Sequence, residues 1–467
     1  MNQGGIGMEQ CLIRFAQGQF ATLRERLLAD TSTEAFALLL GQRHQIGDTT
    51  LIKVIDCHWP SAEDYVSRGQ AHLRLKREYI YRCLVDMQCN SEANTLIDVH
   101  THPFCHHRAA FSGVDDQDEQ AFHSWLTETL EDVHYASIVL SQNDYAARLW
   151  ERDGAHSKSR PAHIKTQTMQ EHWPNAANPA VVHAAVDTAT DPNHGFLARS
   201  VLALGMDTMR QIANGQSIAI IGVGGLGSAI AEHLIHSGFH QLQLIDPDQV
   251  ETTNLNRIVG ATWQDAADQR LKVEAVREHL LRINPQATIE AHPLSIDDER
   301  LLPALVNADW LLLATDNHAS RYRTQNIALR FGIPVISAGV NISVDDGHIS
   351  DMSGEVIIAR FGDGLCLNCL GRVSPTQVAA SEIPTLGAEL AQRGYISGQE
   401  VKEPAVKTLN AMLATLAVES LINQYTERQA HTPILVYENN QQPCIYPDTE
   451  SIVQRRKDCF YCASIAN

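Results

Sequence analysis

Short apolar runs and amphipathic stretches alternate along the first part of the chain, up to about residue 152. The apolar runs have the β-type composition of strands, and the stretches between them repeat with a helical period. The clearest strands are Leu51–Ile55, Thr95–Val99 and Ser137–Leu140, and the clearest helices are Ala71–Met87 and Asp116–Val133. This mixture predicts an α+β domain.

The second part of the chain, from about residue 196, alternates apolar runs and helical patterns more regularly. Such alternation is typical of a doubly wound parallel sheet. Its runs Ile218–Val223 and Trp310–Ala314 indicate buried strands, and both are far shorter than the ~20 residues that a membrane helix needs. Residues 153–195 between the two parts are rich in His, Pro, Ala, Asn and Thr with little periodicity. We therefore predict three segments: a domain at 1–152, a linker at 153–195 and a domain at 196–467.

The charge balance narrows the choice of partners. The 467 residues include 36 basic and 55 acidic side chains, which gives a net charge of −19. Proteins that bind nucleic acid or anionic membranes need Lys and Arg to neutralise phosphates, so neither partner is expected. No stretch resembles a signal peptide or a membrane helix. We expect a cytoplasmic protein.

Four of the ten cysteines form two C-x-x-C pairs. This spacing is typical of a zinc site. The pairs are Cys366 with Cys369 and Cys459 with Cys462. The other six are expected to be buried as small apolar residues, because free cysteines are often buried. They are Cys11, Cys57, Cys83, Cys89, Cys105 and Cys444.

A possible metal site follows the predicted strand Thr95–Val99. His100 and His102 lie two residues apart on an extended backbone, so their side chains share one face and can bind one ion. Asp115, at the start of a predicted helix, offers a third ligand and leaves a fourth position for water. Glu34, at the head of an apolar run, offers a general base. Taken singly, a His-x-His pair on a strand is more often a pair of surface residues, Glu34 would be an ordinary surface acid, and Asp115 could simply cap the helix.

Taken together, Glu34, the segment His100-Thr-His102-Pro and the segment Ser112-x-x-Asp115 resemble the JAB/MPN metalloprotease pattern. The resemblance implies that His100, His102 and Asp115 bind a catalytic zinc ion, that Glu34 is the general acid/base, and that Ser112 donates to the oxyanion. It implies cleavage after the C-terminal glycine of a ubiquitin-like protein. The loop between His102 and Ser112 is longer than the family's, and its residues Cys105–His107 could join or displace the metal ligands.

A glycine-rich loop follows the apolar run Ile218–Ile221. Its glycines are Gly222, Gly224, Gly225 and Gly227. Glycines are needed where backbone approaches phosphate, and the helix behind them presents its N–H groups and positive dipole. Asp246, at the end of the next predicted strand, can accept hydrogen bonds from ribose hydroxyls. By itself this motif is equally typical of a nicotinamide-dependent dehydrogenase.

The residues that follow favour a different chemistry. The segment Asp246–Arg257, then Lys272, then Ala314–Asn317 resembles the ThiF/MoeB-like adenylating domain of ubiquitin-activating enzymes. The resemblance implies that a carrier's terminal carboxylate attacks the α-phosphate of ATP. It also implies that Asp246 holds the ribose, that Asn254, Arg257 and Lys272 contact phosphates, and that Asp316 positions Mg²⁺.

The same resemblance adds a dimer and a second zinc ion. Arg199 lies near the position where the family carries an arginine that reaches the partner subunit's ATP site, which implies a homodimer. The two C-x-x-C pairs match the family's structural zinc. Many ubiquitin-activating enzymes form a thioester on a cysteine after the first pair, but no cysteine lies between Cys369 and Cys444. The adenylate could pass to an external thiol, which we favour, to Cys444, or to Ser381.

Two functions fit these sites. Both use ATP, Mg²⁺, one catalytic zinc ion and one structural zinc ion. In the first, the chain activates a ubiquitin-like modifier for transfer to proteins, with a conjugating enzyme as a further partner, and the hydrolase processes or removes the modifier. In the alternative, it activates a sulfur-carrier protein for thiocarboxylate formation, and the hydrolase trims the carrier's C-terminal extension.

Overall fold

The computed structural model describes residues 10–70, 72–105, 108–154, 156–166, 193–383, 385 and 404–462. The chain divides into two compact units, Met1–Val182 and His183–Asn467. Among the described helices, none combines the length and apolar character that crossing a membrane would require.

Nine strands and three helices make up the described part of the first unit. The strands are β1 Gln10–Arg14, β2 Phe36–Ile46, β3 Thr49–His58, β4 Tyr65–Arg68, β5 Leu73–Leu75, β6 Thr95–Thr101, β7 His134–Leu140, β8 Tyr145–Asp153 and β9 His156–Lys165. The helices are α1 Gln19–Leu27, α2 Arg77–Cys89 and α3 Gly113–Thr129. Seven strands close a barrel in the order β1-β3-β2-β6-β7-β8-β9, and β4 pairs with β5 separately.

The barrel strands bury both faces because apolar residues occupy successive positions. In β2, Ala37 and Leu39 belong to a cluster that includes α1, whereas Leu38 and Leu40 belong to a second cluster that includes residues of α2 and α3. Neighbouring side chains of a strand point to opposite faces, so β2 lies between two apolar layers. β6 is arranged in the same way, with Leu96 in the second cluster.

The strands expected in the first unit are present, but the bounds of both expected helices differ, most at the start of the first helix and at the end of the second. The predicted helix from Ala71 begins only at Arg77, because Leu73–Leu75 pairs with β4 as a strand. The predicted helix to Val133 ends at Thr129, and a turn with a positive φ of 55° at Asp132 leads into β7.

Part of the range expected as a linker, 153–195, has regular structure. β9 pairs antiparallel with β8 and parallel with β1, and so completes the barrel. A helix begins at Asn193. Residues 167–192 lie outside the described residues.

The second unit is built on an eight-stranded sheet. Its strands are β10 Ser217–Ile221, β11 Gln241–Ile245, β12 Thr288–His292, β13 Trp310–Leu313, β14 Val335–Asp345, β15 His348–Ala359, β16 Ile434–Glu438 and β17 Cys444–Pro447. The described helices are α4 Asn193–Leu204, α5 Met206–Gly215, α6 Gly225–Ser237, α7 Trp263–Ala267, α8 Lys272–Ile283, α9 Leu302–Asn307, α10 His318–Phe331, α11 Pro375–Glu382, α12 Lys407–Thr426 and α13 Thr449–Gln454.

The strand order β12-β11-β10-β13-β14-β15-β16-β17 places β10 beside β13. The pairs from β12 to β14 are parallel, as the alternating pattern predicts, whereas β15, β16 and β17 extend the sheet antiparallel. Strand numbers decrease from β12 to β10 and increase from β13 onward, so the direction in which the chain adds strands reverses between β10 and β13. In open sheets of this kind ligands bind beyond the carboxyl ends of the strands at such a point.

Candidate functional sites

The glycine loop joins β10 to α6. Gly222 has a positive φ of 88°, which favours glycine. A Cβ at Gly227 would lie 1.8 Å from the carbonyl oxygen of Gly222, and one at Gly225 would lie 2.5 Å from Nδ2 of Asn410. At Gly224, by contrast, a Cβ would have no described atom within 4 Å. The backbone itself therefore requires glycine at residues 222 and 227, whereas a side chain at Gly225 would have to displace the Asn410 and Arg257 side chains, and Gly224 faces open space.

Asp246 anchors this loop from the end of β11. Its Oδ2 atom accepts from the backbone N–H of Val223 at 2.7 Å, and its Oδ1 accepts from that of Asp248 at 2.9 Å. Burial raises the pKa of Asp246, and the nearby Lys272 ammonium opposes this change. Lys272 lies 3.9 Å from Asp246 and donates to Asp248 at 2.7 Å. Each carboxylate oxygen keeps a lone pair for a further donor.

Two of the three residues expected at the phosphates, Asn254 and Arg257, follow Asp246 in the chain and have different surroundings. Asn254 is buried, and its Oδ1 atom accepts from the backbone N–H of Glu251 at 3.1 Å, which leaves its amide N–H groups as donors. Arg257 donates to the carbonyl of Thr253 at 2.7 Å. Its Cγ atom would lie 2.9 Å from a Cβ at Gly225, so Arg257 borders the glycine loop.

Asp316 is exposed in the loop after β13. Its neighbour Thr315 packs against the glycine loop, since the Thr315 methyl would lie 2.8 Å from a Cβ at Gly222. The structure thus places Asp316 at the same sheet edge as the loop. Arg199 is exposed on α4.

Asn410 was not expected at this site. It is 3 % exposed on α12 and adjoins Gly225. Leu409 and Ala411 flank it in sequence, and it lies more than 180 residues from the loop, so no local pattern singles it out.

The four paired cysteines converge in the second unit. All are buried, and their sulfur atoms lie within 4.8 Å of one another. The Sγ atoms of Cys366 and Cys459 are 3.7 Å apart, and those of Cys369 and Cys462 are 4.0 Å apart. Four thiolates at 2.3 Å from one zinc ion stand about 3.8 Å apart in a tetrahedron, so the cluster fits that ion.

Two polar residues, Arg456 and Gln325, hold the cysteine turns in place. Arg456 donates from its backbone N–H to the carbonyl of Cys369 at 3.2 Å and from its guanidinium to the carbonyl of Asn368 at 3.1 Å. Gln325 of α10 accepts from the backbone N–H of Asn368 at 3.3 Å. These contacts connect the C-terminal cysteine pair and α10 to the first pair.

The other cysteines divide by environment. Cys11 and Cys83 are buried as expected, but Cys89 and Cys444 are exposed, and Cys57 and Cys105 are partly buried. The expectation of burial was thus wrong for the two exposed residues. Cys444 lies on β17 at the edge of the sheet, where no further strand covers it among the described residues.

Three side chains of the first unit converge in a second cluster. The Nε2 atom of His100 lies 3.5 Å from Oδ1 of Asp115, and Nε2 of His102 lies 3.5 Å from Oδ2 of the same carboxylate. Ligands at 2.0–2.1 Å from a tetrahedral zinc ion stand about 3.4 Å apart. The cluster therefore has the donor set and spacing of a zinc site with three protein ligands.

Glu34 is placed beside this cluster by the pairing of β2 with β6. Phe36 lies opposite His100, and Ala35 exchanges two hydrogen bonds with Thr101, one through its hydroxyl at 2.8 Å. Continuing this antiparallel register puts Glu34 opposite His102 on the same face. Burial raises the pKa of Glu34 to about 7, despite the opposing effect of His100. Such a pKa suits a general base near neutral pH.

Ser112 and Asp115 form a capping box at the start of α3. Ser112 donates its backbone N–H to Oδ2 of Asp115 at 2.5 Å, and its hydroxyl oxygen accepts from the Asp115 N–H at 3.2 Å. The cap fixes the carboxylate beside the histidines, so the helix-capping role and the ligand role are compatible.

The longer loop between His102 and Ser112 is described only in part. Its residues His106 and His107 lie outside the described residues, whereas Cys105 donates its backbone N–H to the carbonyl of His102 at 3.0 Å.

The histidines differ in electrostatic surroundings. Burial lowers the pKa of His100, but Asp115 and Asp98 outweigh it and raise the pKa to about 10. Burial lowers the pKa of His102. Because a metal ion binds only unprotonated imidazole, binding at His100 must displace a proton.

The profile of the ThiF family matches residues 197–458, which is more than half of the chain. The chain belongs to the ThiF family. The match covers the glycine loop and the first cysteine pair, and the second pair, Cys459 and Cys462, begins directly after it.

Curated relatives match about half of the chain. Adenylyltransferase and sulfurtransferase UBA4 of Saccharomyces cerevisiae is 23% identical over 246 residues, which are 52% of this chain and 50% of the relative. Adenylyltransferase and sulfurtransferase MOCS3 of Drosophila yakuba is 28% identical over 206 residues, 44% and 43% of the two chains. This chain thus spans about half the length of these relatives. A crystal structure of E. coli MccB with ATP aligns with a TM-score of 0.45 at 21% identity, over 58% of this chain and 75% of that one.

Proposed function

We propose that residues 196–467 catalyse the ATP-dependent adenylation of the C-terminal carboxylate of a ubiquitin-like sulfur-carrier protein. The observation that carries this is the glycine loop, whose Gly224 leaves open space at the N-terminus of α6 beside Asp246 and Lys272. Membership of the ThiF family supports adenylation. Because the relatives are named as sulfurtransferases as well as adenylyltransferases, they favour the sulfur-carrier alternative over transfer of a modifier to proteins.

In the proposed reaction, a carboxylate oxygen of the carrier attacks the α-phosphorus of ATP, and pyrophosphate leaves. The α6 N-terminus and the free amide of Asn254 bind phosphate oxygens, and Lys272 turns from Asp248 toward the charge that develops there. Asp316 offers the oxygen ligand that Mg²⁺ prefers. When bound, Mg²⁺ neutralises the leaving pyrophosphate. The proposal includes a homodimer in which Arg199 reaches the second copy's nucleotide.

ATP–pyrophosphate exchange with a panel of carrier proteins tests this proposal. Replacing Lys272 or Asp316 with Ala should lower the exchange rate about 100-fold or more, because the first change removes positive charge at the phosphates and the second removes the proposed Mg²⁺ ligand. Asp345→Ala, at an exposed position of β14, is the matched control and should exchange at the wild-type rate. Full exchange by the Lys272 and Asp316 variants would exclude the assignment.

We also propose that the first unit is a JAB/MPN-like zinc peptidase that releases the carrier's terminal glycine from an extension or an isopeptide bond. The convergence of His100, His102 and Asp115 beside the buried Glu34 carries this second function. When bound, zinc supplies a Lewis acid at the scissile carbonyl. Glu34 accepts the proton of the attacking water and passes it to the leaving amine, and the Ser112 hydroxyl donates to the oxyanion.

Zinc content tests the site directly. The wild-type chain should hold two zinc ions, and a His100→Ala/His102→Ala variant should hold one, because the four cysteines keep theirs. His156→Ala, at an exposed residue of the same barrel, should keep both. If the double variant keeps two ions, the zinc peptidase proposal fails, whereas the adenylation proposal is unaffected.

A further inference from the structure

Asp98 and His100 lie two residues apart on β6 and share one face of the strand. The Oδ1 atom of Asp98 lies 3.5 Å from Nδ1 of His100, while the opposite nitrogen of that ring, Nε2, lies 3.5 Å from Asp115. The ring of His100 is therefore held between two carboxylates. One faces the proposed metal position, and the other faces away from it.

The second oxygen of Asp98 is already occupied. Tyr135, which is 1 % exposed on the neighbouring strand β7, donates its hydroxyl to Oδ2 of Asp98. Asp98 itself is 8 % exposed, and its Oδ1 atom has no hydrogen-bond partner within the described part of the chain. A buried carboxylate oxygen without a donor is costly, so this atom favours an N–H on the nitrogen that faces it.

A second buried carboxylate, Glu119 of α3, lies beside the same pair, and its charge is already balanced. Arg148 donates to Glu119 at 2.9 Å, and the indole of Trp150 donates to it at 2.8 Å. Because the Arg148 guanidinium already supplies a cation there, a second metal ion bound by Asp98, His100 and Glu119 would meet like charge. These contacts make Asp98 a partner of His100 rather than a ligand.

A neutral imidazole binds metal through the nitrogen that lacks the proton. We propose that Asp98 is a positioning residue that keeps the proton of His100 on Nδ1, so that Nε2 presents its lone pair to a zinc ion. The inference rests on the proposed zinc site. His102 is supported differently, by a hydrogen bond with the backbone of Ala110. Carboxylates that orient a ligand histidine in this way raise metal affinity.

The test combines zinc affinity with the proton position of His100. Asp98→Leu removes the acceptor and should weaken zinc binding at this site about 10- to 100-fold, and Asp98→Asn, which keeps a neutral acceptor, should weaken it less. Trp150→Phe, which removes a donor from the same buried network without touching His100, should change zinc affinity less than about threefold. Affinity is measured by competition with a chelating dye while the cysteine site stays loaded. In zinc-loaded wild-type protein, ¹⁵N-histidine NMR should show the proton of His100 on Nδ1, with Nε2 facing the metal.

Three results would overturn the inference. The first is a zinc-loaded wild-type protein in which the proton of His100 lies on Nε2, which can be read even if the variants do not fold. The second is unchanged zinc affinity in a well-folded Asp98→Leu variant. The third is complete loss of one ion from Asp98→Asn, because Asp98 would then be a ligand. If His100→Ala/His102→Ala keeps both ions, the zinc site itself is wrong and the failure lies with the proposed function.

Discussion

Gly227 packs so closely on Gly222 that a Cβ at residue 227 would lie 1.8 Å from the Gly222 carbonyl oxygen. This contact joins the first turn of α6 to the end of β10. The backbone can pass through this space only if residue 227 has no side chain. The contact thus fixes the position of the α6 N-terminus beyond the end of β10.

The glycines of this loop should respond differently to Ala. Gly227→Ala should lower the free energy of unfolding by about 3 kcal/mol, because its methyl group must displace backbone atoms. Gly224→Ala, in open space, should stay within about 0.5 kcal/mol of wild type. The Gly224 variant should nevertheless bind ATP more weakly, since its methyl group occupies space proposed for phosphate. Urea unfolding and nucleotide titration measure the two effects. Normal ATP binding by Gly224→Ala would contradict the proposed phosphate position.

The cysteine cluster should hold one zinc ion that stabilises the second unit. Cys366→Ser should lose that ion and unfold at lower temperature, because a bound structural zinc contributes directly to folding. Cys444→Ser, at an exposed cysteine on β17, is the control and should lose neither zinc nor stability. Elemental analysis and thermal unfolding provide the measurements. An unchanged zinc content in Cys366→Ser would refute the four-thiolate site.

Glu34→Gln should separate metal binding from catalysis in the first unit. Glutamine keeps the shape of Glu34 but cannot accept the water proton, so cleavage of a C-terminally extended carrier should fall at least about 100-fold while zinc stays bound. The variant should still activate a carrier that already ends in glycine. Asp30→Asn, at an exposed residue nearby in sequence, should cleave normally. Intact cleavage by Glu34→Gln would show that Glu34 is not the base.

His134 should make the barrel less stable in acid. Burial, assisted by the Arg43 guanidinium, lowers the pKa of His134 to about 4, and Arg43 lies 3.0 Å from its Nδ1. In the unfolded chain this histidine binds a proton near pH 6.5, but in the folded chain it stays neutral until about pH 4. The free energy of unfolding should therefore fall as the pH drops from 6.5 to 4.

Replacing His134 with Gln should make the fall in the free energy of unfolding between pH 7 and pH 5 smaller by about 1 kcal/mol. This value is reduced for the partial exposure of the ring. Urea unfolding at pH 7 and pH 5 measures the change, and His156→Gln, at an exposed histidine, should leave the wild-type pH dependence intact. Equal pH dependence in the wild type and in His134→Gln would show that this histidine is not responsible.

The proposed ligands could be found in the sequence because each is part of a short local pattern. The spacing of His100 and His102 on a strand determines that they share a face, and the capping position of Asp115 follows from the start of α3. Asp246 was predicted at the end of a strand, and β11 ends directly before it at Ile245. Periodicity alone decides such features, since they depend on neighbours in the chain.

Only the tertiary structure decided the features that join distant segments. Asn410 adjoins Gly225, Asp98 faces His100 with Tyr135 at its other oxygen, and β9 completes the barrel within a range expected as a linker. Each of these depends on the pairing of strands or the packing of helices far apart in the chain. Local composition does not encode such contacts, because the neighbouring sequence does not distinguish a buried Asn or Asp from an exposed one. Only the tertiary fold brings the partner residue into contact.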